Sequence, residues 1–224
     1  MSTLRKQKKR RTQAERSKDM RLRLLKATTV VLRRYGYAGL RTEEVSRVAG
    51  VSRGAQLHHF PNKESLVLAT TEHIFQASTE RGLARAKAAL KSDDPLEDLI
   101  QDGMDFFFSD DFLVLLDLVL MGEKNHSIRE HIYAVAREHR PAVEAAWLQA
   151  LVAAGLKRSQ ADQAMWFTLA LIRGMVIRGL WQPDKKLVRR LLDEWKSLLR
   201  AHLYRQLLEG ERAGTGGRPT VRTK

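Results

Sequence analysis

The chain has 224 residues, no cysteine, and 40 lysines and arginines against 26 acidic residues, which gives a formal net charge of +14. The absence of cysteine excludes a disulfide scaffold, a thiolate zinc site and a cysteine nucleophile. The N-terminus is basic without a following apolar segment, and no apolar run approaches the ~20 residues of a membrane span, so we expect neither a secretory signal nor membrane insertion. The positive excess indicates a polyanionic partner, either nucleic acid or a membrane surface.

The positive charge lies near the N-terminus. Residues 1–63 contain 17 basic and 4 acidic residues, whereas residues 64–210 contain 19 basic and 21 acidic residues. A basic head on a neutral body is typical of a nucleic-acid-binding module joined to a second module. We predict that residues 1–17 form a flexible basic arm, which either reaches along DNA or remains solvated, and that residues 210–224 form a disordered tail.

The first helix is predicted directly after the arm. Apolar or small side chains recur there on one helix face, at Leu24, Leu25, Thr28, Val31, Leu32 and Tyr35. Gly36 and Gly39 end this helix. Because the later segments keep a helical period and show no β-branched alternation, the sequence predicts an all-α fold.

Two short helices follow, joined by a turn that contains glycine. Thr42 is the predicted N-cap of the first, and Gly50 occupies its left-handed C-terminal position. Ser52 caps the second, which runs from Arg53 to His59. Such a pair forms a helix-turn-helix, and its second helix fits the major groove of DNA.

The rest of the chain predicts longer helices. Asn62 caps a helix from Lys63 to about Leu90, and further helical segments follow at 95–109, 110–122, 127–154, 160–181 and 184–208. Pro141 lies inside one of them, so the segment 127–154 is either kinked or split there.

The second short helix carries the candidate base-reading residues. Arg53 can pair with O6 and N7 of guanine, and Gln56 with N6 and N7 of adenine. Small residues that allow close approach, and cationic residues near the path of the phosphates, complete the predicted DNA-binding set: Gly54, Ala55, His58, His59 and Lys63.

Residues 22–69 together resemble the DNA-binding domain of the TetR (tetracycline-repressor-like) family. The likeness is carried by Gly36-Tyr37, Gly39-Leu40-Arg41-Thr42, Val45, Val48-Ala49-Gly50-Val51-Ser52-Arg53-Gly54-Ala55 and His58-His59-Phe60-Pro61-Asn62-Lys63-Glu64-Ser65-Leu66. Several fixed spacings hold together, which makes the match specific. The resemblance implies a cytoplasmic, homodimeric regulator with three N-terminal helices that bind a palindromic operator. It also implies a larger helical domain that dimerises and binds a small-molecule effector.

The resemblance also implies roles by position. Phosphate contacts fall on Thr42, His59 and Lys63, and base contacts on Arg53, Gly54 and Ala55. The chain departs from the family at Gln56-Leu57, where a Leu-Tyr pair is common, so the backbone contact of the tyrosine is lost and Gln56 either contacts a base or packs. Glu43 stands where some members place a base-reading arginine. The predicted domains are a basic arm at 1–17, a helix-turn-helix domain at 18–66, an effector-binding and dimerisation domain at 67–209, and a tail at 210–224.

The C-terminal region is the predicted sensor, because its apolar and aromatic side chains exceed what one core face needs. Apolar pockets favour apolar or aromatic ligands. The candidate pocket residues are Met104, Phe107, Phe108, Leu116, Trp147 and Phe167. Plain packing of a helical bundle is the other interpretation of the same residues.

The helix predicted at 160–181 is apolar nearly all round, so it needs cover on more than one side. In a chain of this size a partner subunit can supply that cover, and a twofold dimer would place two recognition helices on a palindromic site. The predicted interface residues are Trp147, Leu151, Met165, Leu169, Ile172 and Val176.

Catalytic residues, a metal site and a cofactor are not expected. Glu123, His126 and Glu130 share a helix face that a metal could use, but without a second cluster an exposed face is the better interpretation. The predicted function is a ligand-responsive DNA-binding transcriptional regulator, specifically a repressor. The alternative is a non-specific nucleic-acid-binding protein that uses charge without an effector.

Overall fold

The computed structural model describes residues 12–121 and 126–214. These ranges contain nine α-helices and no strand, in agreement with the predicted all-α fold. The helices are α1 (Gln13–Gly39), α2 (Thr42–Ala49), α3 (Arg53–His59), α4 (Lys63–Ala89), α5 (Pro95–Phe107), α6 (Asp110–Leu120), α7 (His126–Ala153), α8 (Arg158–Gly179) and α9 (Lys185–Gly214). Within the described ranges, no helix combines the length and the apolar character needed to cross a membrane.

Helix α1 begins earlier than predicted because Thr12 and Glu15 form a capping box. The Thr12 hydroxyl accepts a hydrogen bond from the Glu15 N–H (3.1 Å), and the Glu15 carboxylate accepts one from the Thr12 N–H (2.7 Å). Two N–H groups at the helix start are thereby satisfied. The predicted flexible arm is therefore wrong for residues 13–17, which are helical, while residues 1–11 lie outside the described residues.

The C-terminal helix also ends later in the chain than predicted. Helix α9 continues to Gly214, so the predicted disordered tail is wrong for residues 210–214, and residues 215–224 lie outside the described part of the chain. Helix α7 is one helix with Pro141 inside it, rather than two.

The chain forms two compact units. Unit 1 comprises residues 1–78 and 109–139, and unit 2 comprises residues 79–108 and 140–224. Helix α4 begins in unit 1 and ends in unit 2, and α7 does the same. The predicted domain boundary at residue 66 does not coincide with this division, because α6 and part of α7 belong to unit 1. The functional division into a DNA-binding and an effector-binding domain stays a prediction.

In unit 1, α1 packs against α2 and α6. Leu24, Val31, Val45 and Leu66 are among its fully buried side chains. Gly36 interrupts the helical backbone of α1 with a φ of 63°, a left-handed value that L side chains rarely adopt.

In unit 2, α5 packs closely on α8 because Gly103 has no side chain. A Cβ at this position would lie 2.8 Å from Cδ1 of Ile172, so a larger residue fits only if the Ile172 side chain moves. Helix α9 is tied to the start of α5 by two ion pairs, Lys196–Glu97 (2.6 Å) and Arg200–Asp94.

Candidate functional site

The helix-turn-helix of unit 1 is built by local hydrogen bonds. Gly50 ends α2 in the left-handed conformation, with φ 63° and ψ 42°, and the Ser52 hydroxyl accepts a hydrogen bond from the Ala55 N–H (3.2 Å). Both caps confirm the sequence prediction. Thr42 is the first residue of α2, and its predicted N-cap place is taken by Arg41, whose side chain makes no capping hydrogen bond.

Arg23 of α1 fixes the end of α2 and was missed by sequence reasoning. Its Nε donates to the carbonyl of Ala49 (3.0 Å), and its Nη2 donates to the carbonyl of Gly50 (2.7 Å). A cation at the negative end of a helix satisfies free carbonyl groups and stabilises the helix dipole. Arg23 therefore holds the turn that sets the direction of α3.

One face of the recognition helix α3 points outward. Arg53, Gly54, Leu57 and His58 are exposed, and Ala55 is half-buried. Outside the backbone of α3 and the two neighbouring residues, no atom lies within 4 Å of the place where a Cβ of Gly54 would stand, so Gly54 faces open space. Leu57 is exposed although it is apolar.

Gln56 faces the opposite way, which contradicts its predicted base contact. Its side chain is 0% exposed, and its Nε2 donates to the carbonyl of Phe60 at 2.7 Å. Phe60 is buried one helical turn later, so both residues lie on the inner face of the α3 segment. The rule that places residues i and i+4 on one face could have identified Gln56 as a packing residue.

Arg53 forms an ion pair with Glu43 of α2. The Arg53 Nη2 lies 3.1 Å from the Glu43 Oε1, and the side chains are 68% and 56% exposed. Because both groups are hydrated, the pair is weak and Arg53 can exchange Glu43 for another partner. Glu43 thus holds the guanidinium at the surface that α2 and α3 share.

His59 and Lys63 lie at the end of α3 and the start of α4. Burial lowers the pKa of the His59 imidazole, and the nearby His58 and Arg21 lower it further. Burial also lowers the pKa of Lys63, whose Nζ lies 4.3 Å from the centroid of the Tyr37 ring. Asn62 caps α4, since its Oδ1 accepts a hydrogen bond from the Ser65 N–H (2.8 Å), as predicted.

In unit 2, two of the six predicted pocket residues line one small cavity. Phe107 and Trp147 surround a space of about 20 Å³ together with Phe106, Arg140 and Asp102, among others. Met104 is half-buried outside the lining, and Phe108 is exposed. Leu116 is half-buried on α6 in unit 1, and Phe167 is 60% exposed. The structure therefore places none of these last four residues in the lining of this cavity, and Phe167 lines a separate groove instead.

A polar cluster lies beside this cavity. Trp147 Nε1 donates to Asp102 Oδ2 (2.9 Å), and Arg85 pairs with Asp102 and Asp105. Burial raises the pKa of Asp102, an effect opposed by the Trp147 hydrogen bond and by the positive charge of Arg85. Trp147 therefore combines a packing role with a polar one.

All six predicted interface residues are buried within the single chain, which contradicts their predicted role. Trp147, Leu151, Met165, Leu169, Ile172 and Val176 are each no more than 6% exposed. The periodicity correctly identified an apolar stripe on α8, but the other helices of unit 2 cover it. A side chain that already packs inside its own subunit has no surface to offer a partner.

The exposed apolar surface of α8 lies on another face and extends onto α9. A shallow groove of about 680 Å³ is lined there by Gln160, Gln163, Ala164, Phe167, Ala170, Leu171, Trp195, Leu198 and Leu199. Phe167 and Trp195 meet edge to face, with ring centroids 6.3 Å apart, and Trp195 Nε1 donates to Thr168 Oγ1 (2.9 Å). Leu198 is exposed. These groove residues were not predicted as an interface.

The described residues contain no group of three His, Asp or Glu side chains placed to hold a metal ion. The sequence offered one weak metal candidate, Glu123, His126 and Glu130. His126 Nε2 lies 3.9 Å from Glu130 Oε1, and Glu123 lies outside the described residues.

Comparisons with known proteins agree with this geometry. The family model described as "Bacterial regulatory proteins, tetR family" matches residues 24–70. The HTH-type transcriptional regulator CymR of Pseudomonas putida is 41% identical over 192 residues, which cover 86% of this chain and 95% of CymR.

Two solved structures share the fold at lower identity. A putative TetR-family transcriptional regulator from Mesorhizobium loti has 18% identity and a TM-score of 0.65, covering 83% of this chain and 97% of that one. Another, from Rhodococcus sp., has 22% identity and a TM-score of 0.58, covering 82% and 96%.

Proposed function

The chain belongs to the TetR family of bacterial regulatory proteins, and on this basis we propose that it is a cytoplasmic repressor that binds a palindromic operator as a homodimer and is released by a small apolar or aromatic effector. As a transcriptional regulator of this family it is not an enzyme. The observation that carries the proposal is the exposed outer face of α3, which presents a cation, a glycine and an apolar side chain to an incoming groove.

The chemistry of this face supports a division of roles in DNA recognition. Arg53 leaves Glu43 to pair with guanine, Gly54 and the half-buried Ala55 allow the helix to sit close to the bases, and Leu57 contacts a thymine methyl group. Phosphates are bound by residues of three helices and fix the position of α3 without reading sequence: Thr42 of α2, His58 and His59 of α3, and Lys63 of α4.

The groove between α8 and α9 supports the dimer. Its lining is almost entirely apolar, and Phe167, Leu171 and Leu198 leave a continuous apolar surface uncovered by the described chain. Exposed patches of this kind usually mark interaction sites. A second copy related by a twofold axis would place the same groove on both sides, and each would cover the other.

We infer that an effector acts through helix α4. This helix begins at Lys63, shortly after the recognition helix in the chain, and ends at Ala89 in unit 2. The small cavity of unit 2 lies among α5, α7 and α8. We propose that an effector binds better to an arrangement in which α4 is displaced, so that the two recognition helices no longer match successive major grooves. The effector can shift the equilibrium only by its difference in affinity for the two arrangements.

The test of operator recognition begins with genomic DNA fragments captured by the full chain. Fluorescence anisotropy then compares the captured palindrome with a shuffled sequence at one salt concentration. We expect the palindrome to bind at least ~1,000-fold more tightly, as specific regulators do. A ratio below about tenfold would favour the non-specific nucleic-acid-binding alternative, which is otherwise supported by the basic N-terminal charge.

The test of the dimer uses Phe167→Asp and sedimentation. The charged residue should produce monomers and reduce operator affinity, because one half-site alone remains bound. Leu83→Asp, at an exposed leucine of α4 outside the groove, is the matched control and should leave the dimer intact. A Phe167→Asp protein that still sediments as a dimer would reject this interface.

A further inference from the structure

The start of α9 in unit 2 carries a dense cluster of positive charge. The cluster, here called the basic patch, consists of Lys185, Lys186, Arg189 and Arg190, and all four side chains are exposed. The segment 64–210 has 19 basic and 21 acidic residues, a net charge of −2, and without the four cations of the patch its net charge is −6. The nearly neutral sum of this segment therefore hides a cationic surface.

The described chain does not balance the charge of the basic patch. The nearest carboxylate along the chain belongs to Asp184, whose Oδ1 accepts a hydrogen bond from the Leu187 N–H (2.9 Å) and so caps α9. The ion pairs that α9 forms within the described residues are made by Lys196 and Arg200, further along the helix. The four cations of the patch thus remain available to an external anion.

The basic patch is also unfavourable for the helix that carries it. Lys185 and Arg189 are four residues apart, as are Lys186 and Arg190, so like charges are neighbours on the helix surface and repel each other. Cations in the first turn also oppose the positive end of the helix dipole. Helices α2, α5 and α6 instead have acidic residues in their first turns. An anionic partner would relieve both kinds of repulsion in α9.

The packing of α9 holds the basic patch in a fixed position on unit 2. On the other side of the same turns, Leu187 and Val188 are half-buried and Leu192 is buried. The Arg178 guanidinium donates to the backbone carbonyl and to the side-chain Oε1 of Gln182, both at 3.1 Å, and so braces the turn into α9. Because a helix rises ~1.5 Å per residue, the four cations lie within about 8 Å along its axis. This is a short, rigid and dense array of positive charge.

Duplex DNA fits this array better than a membrane surface does. An interfacial membrane helix inserts a continuous apolar face beside its cations. The apolar side chains of these turns of α9 face unit 2, and the exposed apolar residues just before the turn are Leu180 and Trp181. Duplex DNA carries one negative charge per ~1.7 Å of its axis, so a stretch as long as the patch presents about four or five phosphates.

We propose that the basic patch of α9 binds the phosphate backbone of duplex DNA and forms a second DNA-binding surface outside the helix-turn-helix. The inference rests on the proposed function in that DNA is the partner. It goes beyond that function, in which unit 2 binds only an effector and a second copy. Contacts to phosphates add affinity without reading the base sequence.

The direct test measures the acetylation rates of individual lysines of the full chain by mass spectrometry, with and without an excess of a duplex of shuffled sequence at about 50 mM salt. We expect DNA to slow the acetylation of Lys185 and Lys186 at least about fivefold, and about 1 M salt to abolish this protection. Lys87 and Lys91, exposed at the end of α4 and just beyond it, are internal controls and should react at the same rate in both samples. Unprotected patch lysines, or equal protection of all four lysines, would overturn the proposal.

A second test compares two variants that lose the same four charges from exposed positions of unit 2. The patch variant is Lys185→Gln, Lys186→Gln, Arg189→Gln and Arg190→Gln, and the control variant is Lys87→Gln, Lys91→Gln, Lys157→Gln and Arg158→Gln. Anisotropy across a salt series should show that the patch variant binds the captured palindrome and the shuffled sequence equally more weakly, at least about fivefold at about 100 mM salt. The slope of log affinity against log salt should fall by about 2 to 4 in the patch variant and stay unchanged in the control variant. Equal losses in both variants would attribute the effect to net charge and overturn the proposal.

The remaining outcomes separate this inference from its alternatives. A patch variant that keeps the wild-type affinity and salt slope on DNA, but loses binding to phosphatidylglycerol vesicles, would overturn the proposal in favour of a membrane surface. Failure of the proposed function would look different, since the wild type would then prefer the palindrome less than about tenfold while DNA still protected Lys185 and Lys186.

Discussion

Arg53 in unit 1 and Arg173 in unit 2 have the same side chain in opposite surroundings. Arg53 is 68% exposed and paired with Glu43, whereas Arg173 has a buried Nε without a partner and a neighbouring arginine. An exposed pair in water is weak and exchanges easily. The half-buried guanidinium of Arg173 instead packs over the ring of Phe107, whose face attracts a cation. Exposure thus leaves Arg53 able to exchange its partner, whereas burial ties Arg173 to the packing of unit 2.

The same contrast applies to aromatic residues. Trp147 is 2% exposed and donates a hydrogen bond to Asp102, whereas Trp181, just beyond the end of α8, is 70% exposed. Residue type alone does not decide which residue supports the fold and which is free to meet a partner. The four predictions below test this division between supporting and surface residues in both units.

The largest effect is expected for Trp147→Ala. The substitution removes a buried ring and the hydrogen bond to Asp102, so the free energy of unfolding should fall by ~3–5 kcal/mol. Urea denaturation measures the change. Trp181→Ala is the matched control and should change it by less than about 0.5 kcal/mol. Equal effects of the two substitutions would remove the distinction between core and surface in unit 2.

The second prediction concerns Arg53 and Gln56 on the two faces of α3. Arg53→Ala should reduce the preference for one base pair in each half-site by ~1–3 kcal/mol and leave the unfolding free energy unchanged. Gln56→Ala should do the reverse. It leaves the buried carbonyl of Phe60 without its hydrogen bond, so the free energy of unfolding should fall by ~1–3 kcal/mol while the base preference stays unchanged. Anisotropy on singly substituted operators, together with urea denaturation, measures both.

Two outcomes would contradict that assignment. An Arg53→Ala protein that loses the same affinity for every sequence would make Arg53 a phosphate contact. A Gln56→Ala protein of normal stability with altered base preference would restore the base contact first expected from the sequence.

The third prediction concerns pH and the buried carboxyl of Asp102. Its pKa in the folded chain is raised above the ordinary value of 3.8, so the folded state binds more protons than the unfolded state between these two pKa values. This contribution to stability is therefore greatest at low pH and is lost as the pH rises from about 4 through the raised pKa.

Asp102→Asn should remove that part of the pH dependence, which urea denaturation across a pH series measures. Asp162→Asn, at an exposed position of α8, controls for the loss of one carboxylate. If Asp102→Asn and wild-type proteins keep parallel pH profiles, burial does not control the protonation of Asp102.

The smallest effect is expected for Glu43→Gln. The substitution releases Arg53 and removes a negative charge from the surface proposed to bind DNA, so binding to all sequences should tighten by less than ~1 kcal/mol. Glu44→Gln removes the same charge from α2 but affects Arg47 instead. If both variants tighten binding equally, net charge explains the effect and the Glu43–Arg53 pair has no separate role.

Local signals predicted much of unit 1. Gly50, Ser52 and Asn62 fix helix ends through bonds to residues within a few positions, and all three occupy the predicted caps. The box formed by Thr12 and Glu15 is equally local and was available in the sequence.

Unit 2 could not be predicted in the same detail, because its cluster joins residues far apart in the chain. Asp102 meets Trp147 across 45 positions. The apolar period of α8 identified a stripe around Ile172, but a period cannot tell whether the same chain or a second chain covers it. The packing of α5 on α8 shows that the same chain covers this stripe.

The most direct test of the account measures by anisotropy how much more tightly the captured palindrome binds than a shuffled sequence, in the wild type and in Arg53→Ala. The account predicts a ratio of at least ~1,000 for the wild type and a clearly smaller ratio for Arg53→Ala. A wild-type ratio below about tenfold would contradict the claim that the exposed face of α3 reads a DNA sequence.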